Sequence, residues 1–218
     1  MLKVKQFTFS PFLENTYLIW DESSRKAAVI DPGCFNQKEN YELKSAIEKV
    51  NLNLLYLINT HCHIDHIFGN AFIKNTFNTR YIAPKDDVFL LELMIGQAEN
   101  YGVELIPSPQ PDEFISENEQ LILGETKGNY LFTPGHSPGE YCIYFENDKV
   151  CFTGDVLFKE NIGRTDLWSG DYNTLLNSIK TKLFTLPDDV KIFPGHGESS
   201  TIGYEKEHNP FSNEINKA

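Results

Sequence analysis

Four side chains able to ligate a metal fall within six residues in Thr60-His61-Cys62-His63-Ile64-Asp65-His66. The run follows an apolar stretch, Leu54-Leu55-Tyr56-Leu57-Ile58, that reads as a buried strand. In extended backbone, residues i and i+2 point the same way, so His61 and His63 can share one cation. Asp65 and His66 are adjacent where the chain turns into a helix. They face another direction and offer a second cation. Three more candidates each follow a predicted strand, in a glycine-containing turn: His136 in Thr133-Pro134-Gly135-His136, Asp155 in Thr153-Gly154-Asp155, and His196 in Pro194-Gly195-His196-Gly197. A catalytic zinc takes about three protein ligands and keeps a position for water. Seven candidates exceed one open site and suit two cations roughly 3.5–4 Å apart, with a hydroxide between them. Cys62 reads as a buried spacer pointing away from its histidine neighbours rather than a nucleophile. His208, among charged residues, reads as surface.

The elements that must position these groups can be read from periodicity. Strands are expected over 3–9, 15–20, 27–30 and 54–58, with a helix over 37–50 carrying Leu43, Ile47 and Val50 on one face. Helices over 65–77 and 86–100 flank a short strand near Tyr81-Ile82. Residues 106–111, with three prolines, form a stiff loop. Strands follow near 120–123 and 129–133, then a hairpin of 140–146 and 149–153 turning at Asn147-Asp148. A helix over 172–184 and a strand over 190–193 come next, and the polar residues after Gly195 are expected to be only partly ordered. Strands, then helices, then strands and a helix suggest two packed sheets with helices outside, not a doubly wound sheet.

Composition narrows the function. The 218 residues are 40% hydrophobic and 23% charged, ordinary for a globular chain. The 19 Lys+Arg against 31 Asp+Glu give a net charge of −12, with no basic run, which disfavours nucleic acid and anionic membrane. No apolar run approaches the roughly 20 residues needed to span a bilayer, and no signal-peptide core opens the chain, so a cytoplasmic location is expected. The four cysteines, Cys34, Cys62, Cys142 and Cys151, form no CxxC pair and are expected as buried thiols.

The chain resembles the metallo-β-lactamase-fold hydrolases and, among them, the short bacterial glyoxalase II (hydroxyacylglutathione hydrolase-like) enzymes. The resemblance runs through Asn15-Thr16-Tyr17, Asp31-Pro32-Gly33, the His61–His66 motif, His136, Asp155, Ile162-Gly163-Arg164-Thr165-Asp166, His196, Thr201-Ile202-Gly203-Tyr204-Glu205 and Asn209-Pro210-Phe211. It implies an α+β fold, a four-layer αββα sandwich of two mixed sheets with helices on the outer faces, as one domain over 1–218. It also implies that His61, His63 and His136 hold one divalent ion, and that Asp65, His66 and His196 hold the other, with Asp155 bridging. Zinc is the expected metal, with iron or manganese as alternatives. With only residues 197–218 after His196, the C-terminal helical domain that supplies glutathione contacts in the long enzymes is not expected.

The implied reaction is hydrolysis of S-D-lactoylglutathione or a related small acyl thioester by a metal-bridging hydroxide, oriented by Asp65 and Asp155. A thiolate leaves without a strong acid because its conjugate acid has a pKa of about 8.5. Arg164 is a candidate anchor for a substrate carboxylate, or else a structural partner of Asp166. Persulfide dioxygenases share the Gly163-Arg164-Thr165-Asp166 stretch and hold one iron with the counterparts of His61, His136 and Asp155, a set suited to O2 chemistry. The Pro194-Gly195-His196-Gly197 turn and the full set of seven favour the hydrolase. A nuclease would need a basic surface, a β-lactamase an export signal, and a non-catalytic binder would have lost ligands.

Overall fold

Alternating and β-branched residues over the first thirty positions pair as an antiparallel meander of β1 (Leu2–Phe9), β2 (Glu14–Asp21) and β3 (Lys26–Ile30). The helix α1 (Gln37–Lys49) follows, capped by Asn36, whose side chain accepts from the N–H groups of Lys38 and Glu39. It buries Leu43, Ala46 and Ile47 and returns the chain to β4 (Asn53–Ile58), parallel to β3. After α2 (Ile64–Ile67) and α3 (Asn70–Phe77) comes β5 (Arg80–Ala83), then α4 (Val88–Tyr101) and β6 (Glu113–Phe114). These six strands form one mixed sheet in the order β1-β2-β3-β4-β5-β6.

A second mixed sheet has the order β14-β13-β10-β9-β8-β7. Its strands are β7 (Gln120–Leu123), β8 (Thr126–Phe132), β9 (Tyr141–Phe145), β10 (Val150–Gly154), β13 (Lys191–Pro194) and β14 (Ser200–Thr201). Between β10 and β13 lie a small ribbon, β11 (Leu157–Phe158) with β12 (Asn161–Ile162), and the helix α5 (Tyr172–Ser178), which widens into a π-helical turn over Ile179–Leu183. The chain closes with α6 (Ile202–His208) and α7 (Ser212–Lys217). This computed structural model describes residues 1–104 and 106–218, in two compact units: Met1–Ile115 with Ile122–Thr126, and Ser116–Leu121 with Lys127–Ala218. Among the described residues no helix is long and apolar enough to cross a membrane. All four cysteines are buried free thiols.

Two expectations are corrected. The helix expected over 65–77 is broken at Phe68-Gly69. The Gly69 N–H donates to the Pro32 carbonyl at 2.7 Å, and a Cβ there would stand 2.3 Å from the Cys34 sulfur. That close approach ends one helix and starts the next. The tail after Gly195 is ordered, not loose. Ile202 and Ile215 are fully buried in one core with Val190, Ile192 and Leu183. Buried Glu205 accepts from the backbone N–H of Glu160 and the Asn209 amide, both at 2.8 Å. Ile215→Ala should therefore lower unfolding free energy by about 2–5 kcal/mol in urea titration, as other large core truncations do.

Candidate metal centre

In the first unit, β3 and β4 are parallel neighbours, so their C-terminal ends release loops at the same edge. From β3 comes Asp31, which is 2% exposed and sits at φ +47°, a left-handed conformation that aspartate tolerates better than most residues. From β4 comes the histidine run. Asp31 holds that run in place. Its Oδ1 accepts the Thr60 backbone N–H at 2.7 Å, and its Oδ2 accepts the Thr60 hydroxyl at 2.6 Å. The same Oδ2 lies 3.2 Å from His66 Nδ1.

These contacts decide where the imidazole protons sit. Because the Thr60 hydroxyl gives its proton to Asp31, its oxygen accepts from His61 Nδ1 at 3.1 Å. His66 Nδ1 likewise faces a carboxylate that only accepts. The His61 ring is thus set with the proton on Nδ1 and the lone pair on Nε2, the tautomer that binds a cation through Nε2. His61 and His63 do project together, with ring centroids 4.9 Å apart. His66 lies beside them. The single turn of α2 folds it back, 4.1 Å from His61. Asp65 Oδ2 lies 3.9 Å from His66 Nε2. Three buried imidazoles this close gather several ring nitrogens in one place. A cation is the species such a donor set accommodates.

Behind them stands Glu14, fully buried, with Oε1 4.0 Å from His66 Nδ1 and Oε2 accepting the Thr16 hydroxyl at 2.9 Å. Burial lifts its carboxyl well above the usual range, and His66 pulls it partly back. Burial also raises the Cys62 thiol, the reverse of what a nucleophile needs. Its N–H donates to the buried Asp87 carboxylate at 3.2 Å. The spacer reading of Cys62 fits both facts.

In the second unit the same device recurs. β10 and β13 are parallel neighbours, and Asp155 and His196 follow their C-terminal ends, tied by the Gly195 N–H to the Gly154 carbonyl at 2.7 Å. His136 comes from the β8–β9 turn and is 3% exposed. Its Nδ1 donates to the Arg164 backbone carbonyl at 2.7 Å, since a carbonyl can only accept, so Nε2 again carries the lone pair. The fully buried Glu140 accepts the Asp155 N–H on its Oε1 at 2.7 Å. One oxygen of Asp155, Oδ2, lies 3.6 Å from His136 Nε2 and 3.6 Å from His196 Nε2. Two ligands with bonds of about 2.1 Å to one tetrahedral cation sit about 3.4 Å apart. Oδ2 is therefore placed to share a cation with either histidine.

Arg164 makes two bonds of 2.7 Å to Asp166, from Nε and Nη2, with both side chains largely exposed. The structural partner foreseen for it is present, and its backbone carbonyl steers His136. His208 is exposed and stacks on Tyr204 at 4.3 Å. Sequence reasoning missed Asp31, Glu14 and Glu140 as supports of the site. Each is an acidic residue at a strand end or turn, and only the neighbourhood shows that it is buried.

The sequence profile of the metallo-beta-lactamase superfamily matches residues 10–196. Over 214 residues the chain is 41% identical to hydroxyacylglutathione hydrolase GloC of Haemophilus influenzae, covering 97% of this chain and 99% of that protein. Among solved structures, the BLEG-1 B3 metallo-beta-lactamase matches with a TM-score of 0.87 and 32% identity over 97% of this chain and 99% of its own. TTHA1623, solved in a di-iron-bound form, matches with a TM-score of 0.85 and 31% identity over 95% of this chain and 100% of its own.

Proposed function

The chain belongs to the metallo-β-lactamase superfamily of metallo-hydrolases, and from that premise we propose that it hydrolyses acyl thioesters of the S-D-lactoylglutathione class. On this reading the chain binds two divalent cations. His61, His63 and His136 would hold one, Asp65, His66 and His196 would hold the other, and Asp155 would serve both. The supporting observation is the pair of equal 3.6 Å separations from Asp155 Oδ2 to two imidazole nitrogens whose rings emerge from different turns. The 41% identity to GloC supports the substrate class.

Two bound cations lower the pKa of coordinated water and polarise an acyl oxygen. The protein's own part is to aim them. Thr60 locks His61 and the Arg164 carbonyl locks His136, so neither ring must reorient during turnover. Asp65 and Asp155 accept hydrogen bonds from the attacking water and orient its lone pair toward the acyl carbon. The departing thiolate needs no protein acid, because its conjugate acid has a pKa of about 8.5. The imidazole-rich set suits zinc first; iron is the alternative, as in the di-iron form of TTHA1623. Buried free thiols fit a cytoplasmic setting.

A thioester panel that includes S-D-lactoylglutathione, run on protein of measured metal content, tests this. Two metals per chain, turnover and its loss on chelation are expected. Turnover that survives complete removal of metal would end the reading, and one iron per chain with O2 uptake would make the protein a persulfide dioxygenase instead. Arg164 holds Asp166 through Nε and Nη2, and we assign its guanidinium to a substrate carboxylate as well. Steady-state kinetics of Arg164→Ala should then show KM raised more than kcat is lowered.

A further inference from the structure

Next to His196 in the second unit lies a cleft of about 280 Å³ lined by Lys159, Lys191, Ser199, Ser200, Thr201 and Tyr204. Two lysines and four hydroxyl-bearing residues border it and no acidic residue does, in a chain with 31 acidic residues against 19 basic ones. Its position is set by the proposed ligand. Phe158, just before Lys159, meets the His196 ring edge-on at 6.3 Å, and Ser199 follows His196 by three residues. Pairing of β13 with β14 puts Lys191 opposite Thr201. The Lys191 ammonium lies 4.7 Å over the Phe193 ring and has no carboxylate partner among the described residues. Carboxylates near the cleft have other work. Glu160 accepts the Tyr204 hydroxyl, and buried Glu205 accepts from Ser200, Asn209 and the Glu160 N–H. Lys159 alone holds an acid, Glu198, at 2.6 Å, with the two side chains 41% and 78% exposed.

We propose that this cleft binds a carboxylate of the substrate's thiol carrier, and that Glu198 is a stand-in for it, displaced from Lys159 when substrate arrives. An ion pair this exposed contributes little, so exchanging one carboxylate for another costs little. The gain comes from Lys191, which Glu198 does not engage. The cleft thus selects thioesters whose leaving thiol is anionic. The substrate class rests on the thioester reading above; the carboxylate site itself does not.

S-methylglutathione is a suitable probe, since it carries two carboxylates and no thiol to ligate a metal. In calorimetry on metal-loaded protein, Lys191→Met and Lys159→Met should each weaken its binding about tenfold, the worth of one charge-assisted hydrogen bond. Glu198→Gln should tighten binding severalfold, a change of sign that mere damage to the fold would not produce. Equal affinities in all four proteins would overturn the proposal. In kinetics, the preference for S-D-lactoylglutathione over a neutral N-acetylcysteamine thioester should fall about tenfold in Lys191→Met; an unchanged preference would also overturn it. If neither thioester is turned over, the hydrolase reading fails, and calorimetry still decides the cleft.

Discussion

Asp155→Ala should cost metal as well as rate: bound metal falls below two per chain, and thioester turnover drops by more than the roughly 10–100-fold typical of losing an outer-shell partner. The expectation follows from one oxygen serving two neighbours. Asp155 Oδ2 stands 3.6 Å from both His136 and His196, and the backbone N–H of Asp155 is held by buried Glu140. Removing the carboxylate takes a negative charge from between two proposed cations, and the remaining imidazoles are neutral. Elemental analysis beside kcat on the same preparation checks it. Two tightly held metals with kcat near that of the parent would remove Asp155 from the bridging role.

Gly163→Ala should be strongly damaging although it adds only one methyl group. A Cβ at Gly163 would lie 2.0 Å from the Asp155 carbonyl oxygen and 3.1 Å from His136 Cβ. The first is backbone and cannot swing aside, so the added methyl must move Asp155, His136 or both. Overpacking of this kind costs about 1–3 kcal/mol, and more where backbone must shift. Thermal melts should show the loss, and metal affinity should fall with it because both displaced residues are proposed ligands. A variant that melts with the parent and binds metal equally would show that the 161–164 segment yields easily.

Much of this was legible in the sequence because it is local. The meander of β1 to β3, the α1 crossover and the His61–His66 run each declare themselves within a few residues, through alternation, a capped amphipathic stretch and donor spacing. The supports of the site were not local. Asp31 acts on Thr60, 29 positions away, and Glu140 acts on Asp155, 15 positions away. A lone carboxylate gives no sign in sequence of whether it will be solvated or buried. The tail hid for a related reason. Its helices bury only a few apolar side chains, Ile202 and Ile215 among them, and are otherwise held through Glu205 and Asn209, so a hydropathy reading sees a polar, loose segment. The break at Gly69 is set by Pro32 and Cys34, which come from a distant turn.

The His136 ring is steered by the main chain of residue 164, while the side chain at that position points to a different task. On the proposed reading an amino-acid exchange there would alter the grip on substrate and leave the carbonyl that aims His136 in place. Substrate range could then drift over generations at position 164 without a toll on the proposed chemistry. Proline at 165 or an insertion beside 164 would forfeit that latitude, since either one reshapes the peptide unit itself.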